Sequence, residues 1–205
     1  HGYEEYPGFH AGDIFENNDS HYGGLHSPDF QTTVPIFYDG ELVAWAAGEL
    51  GHMGLTLDGP RCACGARGCL EAHVGTAAIL RMARQASRMS RGHLTPELVA
   101  RAAQMGDTSA RRVWIEVGRR LGRGLASTVN LLNPDRIVIG GGVANAWRWF
   151  APSLQQALRT HAMTVPGRHV KVVRARLGDQ AGIIGAAVLV WGACGNYERR
   201  KKKEG

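Results

Sequence analysis

Three of the four cysteines, Cys62, Cys64 and Cys69, fall within eight positions, and His52 stands nine intervening residues before the first, in the pattern H-x9-C-x-C-x4-C. Three thiolates and one imidazole are the donor set of a closed, tetrahedral zinc site, because zinc has no ligand-field preference and favours soft sulfur and nitrogen ligands. Gly65 and Gly68 bracket the last spacer and let the loop turn sharply enough to return Cys69 to the metal. The set carries a net charge near −1 when loaded, which Arg61 or Arg67 is placed to offset. The competing reading, three small buried hydrophobes, suits a C-x-C pair beside two glycines poorly. Cys194 stands apart as an ordinary thiol.

Elements of two textures surround this loop. Residues 1–47 are rich in Gly, His, Asp, Asn and aromatics, and their clear strand pattern is TTVPIFYDGELVAWA. The period-two runs on either side of Asp39-Gly40 predict a hairpin, since that dipeptide accepts the positive φ of a tight turn. From Gly75 onward, helical spacing takes over. GTAAILRMARQASRM reads as one helix, and LTPELVARAAQMG as another, with Thr95 as N-cap, Pro96 at the first helical position and Gly106 as the stop. A long helix follows from Asp107, with Val113, Val117, Leu121, Leu125, Thr128 and Leu132 on one face. Gly118, Gly122 and Gly124 on that helix allow close backbone approach. A buried strand in DRIVIGGG, a helix through NAWRWFAPSLQQALRTHA, a strand in HVKVVRARL and a final helix from Asp179 complete an α/β order.

The 205 residues suffice for a sizeable core, and 44% hydrophobic with 20% charged residues marks a globular chain. The net charge of +6 is no nucleic-acid signal, because ERRKKKEG alone supplies five basic and two acidic residues. That basic stretch, within residues 194–205, reads as a solvated, disordered tail. No secretory leader is recognisable, and AGIIGAAVLVWGA is too short and glycine-dotted to span a bilayer. A cytoplasmic location is expected, where clustered thiols stay reduced and bind metal rather than pair.

The stretch GELGHMGLTLDGPRCACGARGCLEAH, followed in register by LLNPDRIVIGGGV and GDQAGIIGAA, resembles the signature of the ROK family of sugar kinases and related repressors over about residues 48–193. The resemblance implies the C-terminal lobe of an actin-like (ribonuclease H-like) ATPase fold with a zinc loop, here preceded by a short segment containing the β-hairpin. It places Glu49, His52 and Glu71 on positions that hold sugar hydroxyls, the partner being a hexose or N-acetylated hexose. His52 would face both ways, one ring nitrogen on zinc and the other donating to sugar. Gly140, Gly141 and Gly142 resemble the turn beside the nucleotide's adenosine end, so ATP with magnesium is implied by family alone. Dimerisation is implied likewise.

A kinase of that family needs a D-x-G-x-T phosphate loop and an aspartate base, and the sequence contains no D-x-G-x-T. Asp19 in NNDS is the tempting base, yet it lies only thirty positions before Glu49, too near for the family's intervening elements. The expectation is therefore a glucokinase-like lobe inactive as an isolated chain, with a ROK sugar sensor or repressor as the alternative. The first residues show no helix-turn-helix pattern that would read DNA, so no specific nucleic acid is expected. Instead HAGDIFENNDSHYGGLHSPDFQTTVPIFYDGELVAWA resembles the hydantoinase B and acetone carboxylase α-subunit group, over about residues 6–47. That resemblance implies His26 and Asp29 as ligands of a second, catalytic divalent metal, and leaves a fragment of such an enzyme as a third reading. The two resemblances meet at DGELVAWAAGELGH.

Overall fold

A computed structural model describes residues 13–17, 31–38 and 41–48 as backbone strands, and residues 50–86, 93–140 and 142–176 in full. Five strands form one sheet: β1 (Asp13–Asn17), β2 (Gln31–Tyr38), β3 (Glu41–Gly48), β4 (Arg136–Ile139) and β5 (Lys171–Arg174), in the order β3-β2-β1-β4-β5. The expected hairpin is β2 and β3, antiparallel, with Tyr38 opposite Glu41. A register shift between Ile36 and Phe37 places a bulge just before its turn.

Strand β1 was not legible as a strand. It lies antiparallel to β2, Phe15 opposite Thr33, and parallel to β4, Ile14 opposite Ile137. The boundary expected between residues 47 and 48 therefore does not divide the sheet, for the hydantoinase-like stretch supplies three of its five strands. β4 and β5 run parallel, as their helical crossover requires.

The helices are α1 (Leu70–Val74), α2 (Thr76–Ala86), α3 (Pro96–Gln104), α4 (Thr108–Leu132), α5 (Trp147–His161) and α6 (Thr164–His169). Thr95 caps α3 by accepting from the Leu98 N–H, and Gly106 ends the segment at φ +100°. Asp107 caps α4 by accepting from Ser109 and Ala110, and Asn133 closes it in the left-handed region at φ 45°. The predicted stripe on α4 is buried at Val113, Val117, Leu121, Leu125 and Thr128. Leu132 departs from expectation at 48% exposure: the buried stripe ends at Val129, and the last apolar turn has no covering element among the described residues.

Helix α5 lies along α4 because glycines admit it. A Cβ on Gly118 would strike the Phe150 carbonyl and the Ser153 hydroxyl, and one on Gly122 would strike the Leu154 carbonyl. Between them pack Trp114, Phe150 and Leu154, with the Trp147 ring edge-on to Phe150 at 5.4 Å. A Cβ on Gly124 would come within 2.8 Å of the Leu70 methyls, so the glycine there lets α1 and the cysteine loop sit on α4. Among the described residues no helix is long and apolar enough to cross a membrane. The expected helix from Asp179 and the basic tail lie outside the described residues.

Candidate functional site

Directly after β3, a short 3-10 turn at Leu50–His52 delivers His52, and the loop to Cys69 folds back beside it. Antiparallel bridges join Gly54 to Cys69 and Arg61 to Arg67. The Leu70 N–H donates to the Met53 carbonyl at 2.8 Å, and those of Leu55 and Thr56 converge on the Gly68 carbonyl. The two glycines do what the spacing demanded, Gly65 at φ +93° and Gly68 at φ +73°. Gly68 has a second constraint, since a Cβ there would meet the Thr56 carbonyl. Arg61 and Arg67, expected to offset the site's charge, are both exposed and face each other across their bridge.

This loop brings His52, Cys62, Cys64 and Cys69 together, with one ligand atom from each within 4.8 Å of the others. The Cys62 Sγ lies 3.6 Å from His52 Nδ1, and the Cys64 and Cys69 sulfurs are 3.7 Å apart. A tetrahedral zinc with Zn–S of about 2.3 Å and Zn–N of about 2.0–2.1 Å sets N···S at about 3.5 Å and S···S at about 3.8 Å. The donor set thus fits a metal ion in both composition and spacing. Burial pushes the Cys69 thiol up to about 12, with the neighbouring sulfurs adding to the rise. Burial also raises Cys62, whereas exposed Cys64 is lowered by the Ala66 backbone N–H that its sulfur accepts. Packed sulfurs resist joint ionisation, and a bound cation reverses that logic by stabilising the thiolates.

Glu71, 7% exposed on α1, points into the same cluster: its Oε2 lies 3.4 Å from His52 Nδ1 and 3.9 Å from the Cys62 sulfur. The nitrogen of His52 that faces the Cys62 sulfur is therefore Nδ1. Of the other expected site residues, Gly140 follows β4 at its carboxyl end, and Gly142 opens a 3-10 turn running to Ala146. Glu49, Gly141, His26 and Asp29 lie outside the described residues.

Residues that carried no sequence signal complete the support. His73, buried on α1, has its Nε2 3.0 Å from the Thr56 hydroxyl and its Nδ1 3.5 Å from an Arg120 nitrogen on α4. Arginine only donates, so Nδ1 accepts and Nε2–H donates to Thr56, fixing one neutral tautomer. Burial first, then the charges of Arg120 and Arg81, hold the His73 pKa below its ordinary value. Arg120 is itself drawn to Glu116 at 2.8 Å. The only hint in the sequence is the spacing C-x3-H from Cys69, one helical turn. A cavity of about 180 Å³ opens nearby between Met53, Gly54 and Leu55 on the loop and Leu70, Arg123 and Ser127 on the helices.

A five-stranded mixed sheet, a 25-residue helix, and a thiol-rich loop that brings one histidine beside a buried glutamate of α1 define a lobe of the actin-like sugar-kinase fold bearing a candidate metal site. The family model described as "ROK family" matches residues 37–193, and that described as "Hydantoinase B/oxoprolinase" matches residues 1–55. The two overlap over the stretch where the sequence resemblances meet. The chain belongs to the ROK family. It is 37% identical over 149 residues to the DNA-binding transcriptional dual regulator NagC of Escherichia coli K12, covering 70% of this chain and 36% of that protein. It is 31% identical over 153 residues to a glucokinase of Thermotoga maritima, covering 69% of this chain and 48% of the relative. Among solved structures, a ROK family glucokinase from Streptomyces griseus in complex with glucose and AMPPNP superposes with a TM-score of 0.70 at 25% identity, covering 88% of this chain and 60% of that one. A ROK family transcriptional regulator, a homologue of the E. coli MLC protein, gives 0.69 at 30% identity, covering 87% and 45%. The chain thus spans about one third to one half of the curated relatives it matches.

Proposed function

We propose that this chain is a carbohydrate-binding lobe whose structural zinc, held by His52, Cys62, Cys64 and Cys69, orients a partial hexose site. The observation that carries the reading is the convergence of those four donors within 4.8 Å beside the buried carboxylate of Glu71. With zinc on one ring nitrogen of His52, the N–H of the other is oriented as a donor to sugar, because ligation settles the tautomer and stops the ring from turning. Glu49 and Glu71 supply acceptors for neighbouring hydroxyls. Three side chains hold only part of a sugar ring. A few hydrogen bonds of about 0.5–1.5 kcal/mol each, set against the entropy of association, leave binding at about millimolar strength or weaker.

Glucose, N-acetylglucosamine and N-acetylmannosamine are the ligands to try. Titrated by NMR against zinc-loaded and chelated protein, at least one should shift resonances around His52 and Glu71 only when zinc is present, and Glu71→Gln should weaken the effect. Equal shifts with and without zinc would place the sugar elsewhere.

Phosphoryl transfer is not assigned to this chain alone. ATP with magnesium enters through the family, with Gly140–Gly142 on the nucleotide side, but the sequence lacks the D-x-G-x-T loop that positions the phosphates. The 37% identity to the regulator NagC favours a second reading, a sugar-sensing lobe rather than a catalytic one. The two separate on hexose phosphate formation with ATP, which the sensing lobe does not support. The chain is proposed to divide into segments 1–47, whose strands share the one sheet with the rest, 48–193 and a tail of 194–205, with a homodimer as the assembly and the cytoplasm as the location.

A further inference from the structure

The three thiols of the cluster are not equivalent. Cys62 and Cys69 are buried, whereas Cys64 is exposed, together with Ala63, Gly65 and Ala66 around it. The Cys62 sulfur faces His52 and Glu71, at 3.6 and 3.9 Å. The Cys64 sulfur lies 3.7 Å from that of Cys69, with the Cys62 sulfur within 4.8 Å of both. A disulfide needs the sulfurs at about 2.0 Å, so this pair must close by somewhat less than two ångströms. Cys64 sits at the exposed tip of the turn closed by the Gly65 N–H to Cys62 carbonyl bond, within reach of solvent oxidants, while Cys69 is buried and anchored at the start of α1.

We propose that Cys64 and Cys69 form a hydroperoxide-sensitive thiol switch on the metal site, Cys64 being the sulfur oxidised and Cys69 the one that resolves it. The proposal rests on the zinc reading above. In the first step the Cys64 thiolate attacks a peroxide oxygen; the S–O bond forms, the O–O bond breaks, and hydroxide (or alkoxide, from an organic peroxide) leaves with the other electron pair. In the second, the Cys69 thiolate attacks the Cys64 sulfur; the S–S bond forms and the S–O bond breaks, releasing a second hydroxide. The two sulfurs together lose two electrons and the peroxide gains them. Only Cys62 and His52 then remain of a four-donor set, and two donors do not retain zinc. His52, freed, finds Glu71 Oε2 already 3.4 Å from its Nδ1, so the ring re-pairs with a carboxylate instead of presenting a fixed donor to sugar.

The test uses the full chain carrying Cys194→Ser, zinc-loaded, and treated with hydrogen peroxide while released zinc is read with a chromogenic chelator. Intact mass and peptide mapping follow the thiols. The expected result is one zinc released per peroxide consumed, a mass loss of about 2 Da, and a bridge joining Cys64 to Cys69. Reductant plus zinc should restore the starting state. Retention of zinc through an about hundredfold excess of peroxide that modifies free thiols under the same conditions, a bridge that includes Cys62, or a gain of two oxygens on Cys64 without any bridge would overturn it. A chain that holds no zinc before oxidation fails the metal reading separately. The mapped pairing on that sample still decides whether Cys64 and Cys69 are the oxidised pair.

Discussion

Thr56→Val probes the tether between the cysteine loop and α4 with almost no change of shape. The substitution removes the hydroxyl 3.0 Å from His73 Nε2 and leaves the buried ring, 9% exposed, facing a position that is open to solvent on the Thr56 side. Orphaning a fully buried donor costs about 1–3 kcal/mol, but solvent at Thr56 hydrates the freed N–H in part, so the loss falls to about the 0.5–1.5 kcal/mol that the bond itself contributes. With an m-value of about 2 kcal/mol/M in urea, the unfolding midpoint of zinc-saturated protein at pH 8 should fall by about 0.3–0.8 M. Adding His73→Leu should recover part of that loss, since the orphaned donor goes with it. A Thr56→Val midpoint within about 0.2 M of the parent, or strictly additive losses in the double variant, would refute the assigned hydrogen bond and tautomer.

His73 also sets a pH dependence. Its folded pKa lies below its ordinary 6.5, so the unfolded chain binds more protons in that window. Its contribution is complete above pH 6.5 and is lost as pH falls towards the depressed folded value; urea titrations of the parent should show this slope, and His73→Gln should flatten it. Cys62→Ser or Cys69→Ser should drop zinc from one equivalent to below detection by elemental analysis and raise amide exchange across residues 50–75, because binding energy at such a site is also folding energy. Gly122→Val should destabilise by about 1–3 kcal/mol or more in thermal unfolding, as its branches must displace the Leu154 carbonyl of α5. Leu154→Ala, emptying a fully buried position, should cost about 2–5 kcal/mol by urea unfolding.

Local chemistry was legible in the chain itself. Zinc-type donor spacing, the Asp39-Gly40 hairpin, the Thr95 and Asp107 caps, the Gly106 stop and the inward face of α4 through Thr128 all follow from residue types at short range, where each side chain answers to neighbours a few positions away. Long-range pairing decided the rest. Asp13–Asn17 has no alternating pattern, and its place at the centre of the sheet depends on β4, more than a hundred residues later, offering the parallel edge that it pairs with. The same holds for His73, whose partners stand 17 and 47 positions away, and for Glu71, whose carboxylate turns towards Cys62 and His52 because α1 is seated on Gly124. Sequence set which donors could bind a metal; which nitrogen of His52 faces the Cys62 sulfur and which sulfur meets solvent depend on how the folded loop returns to the Leu50–His52 turn, and only the tertiary structure shows that.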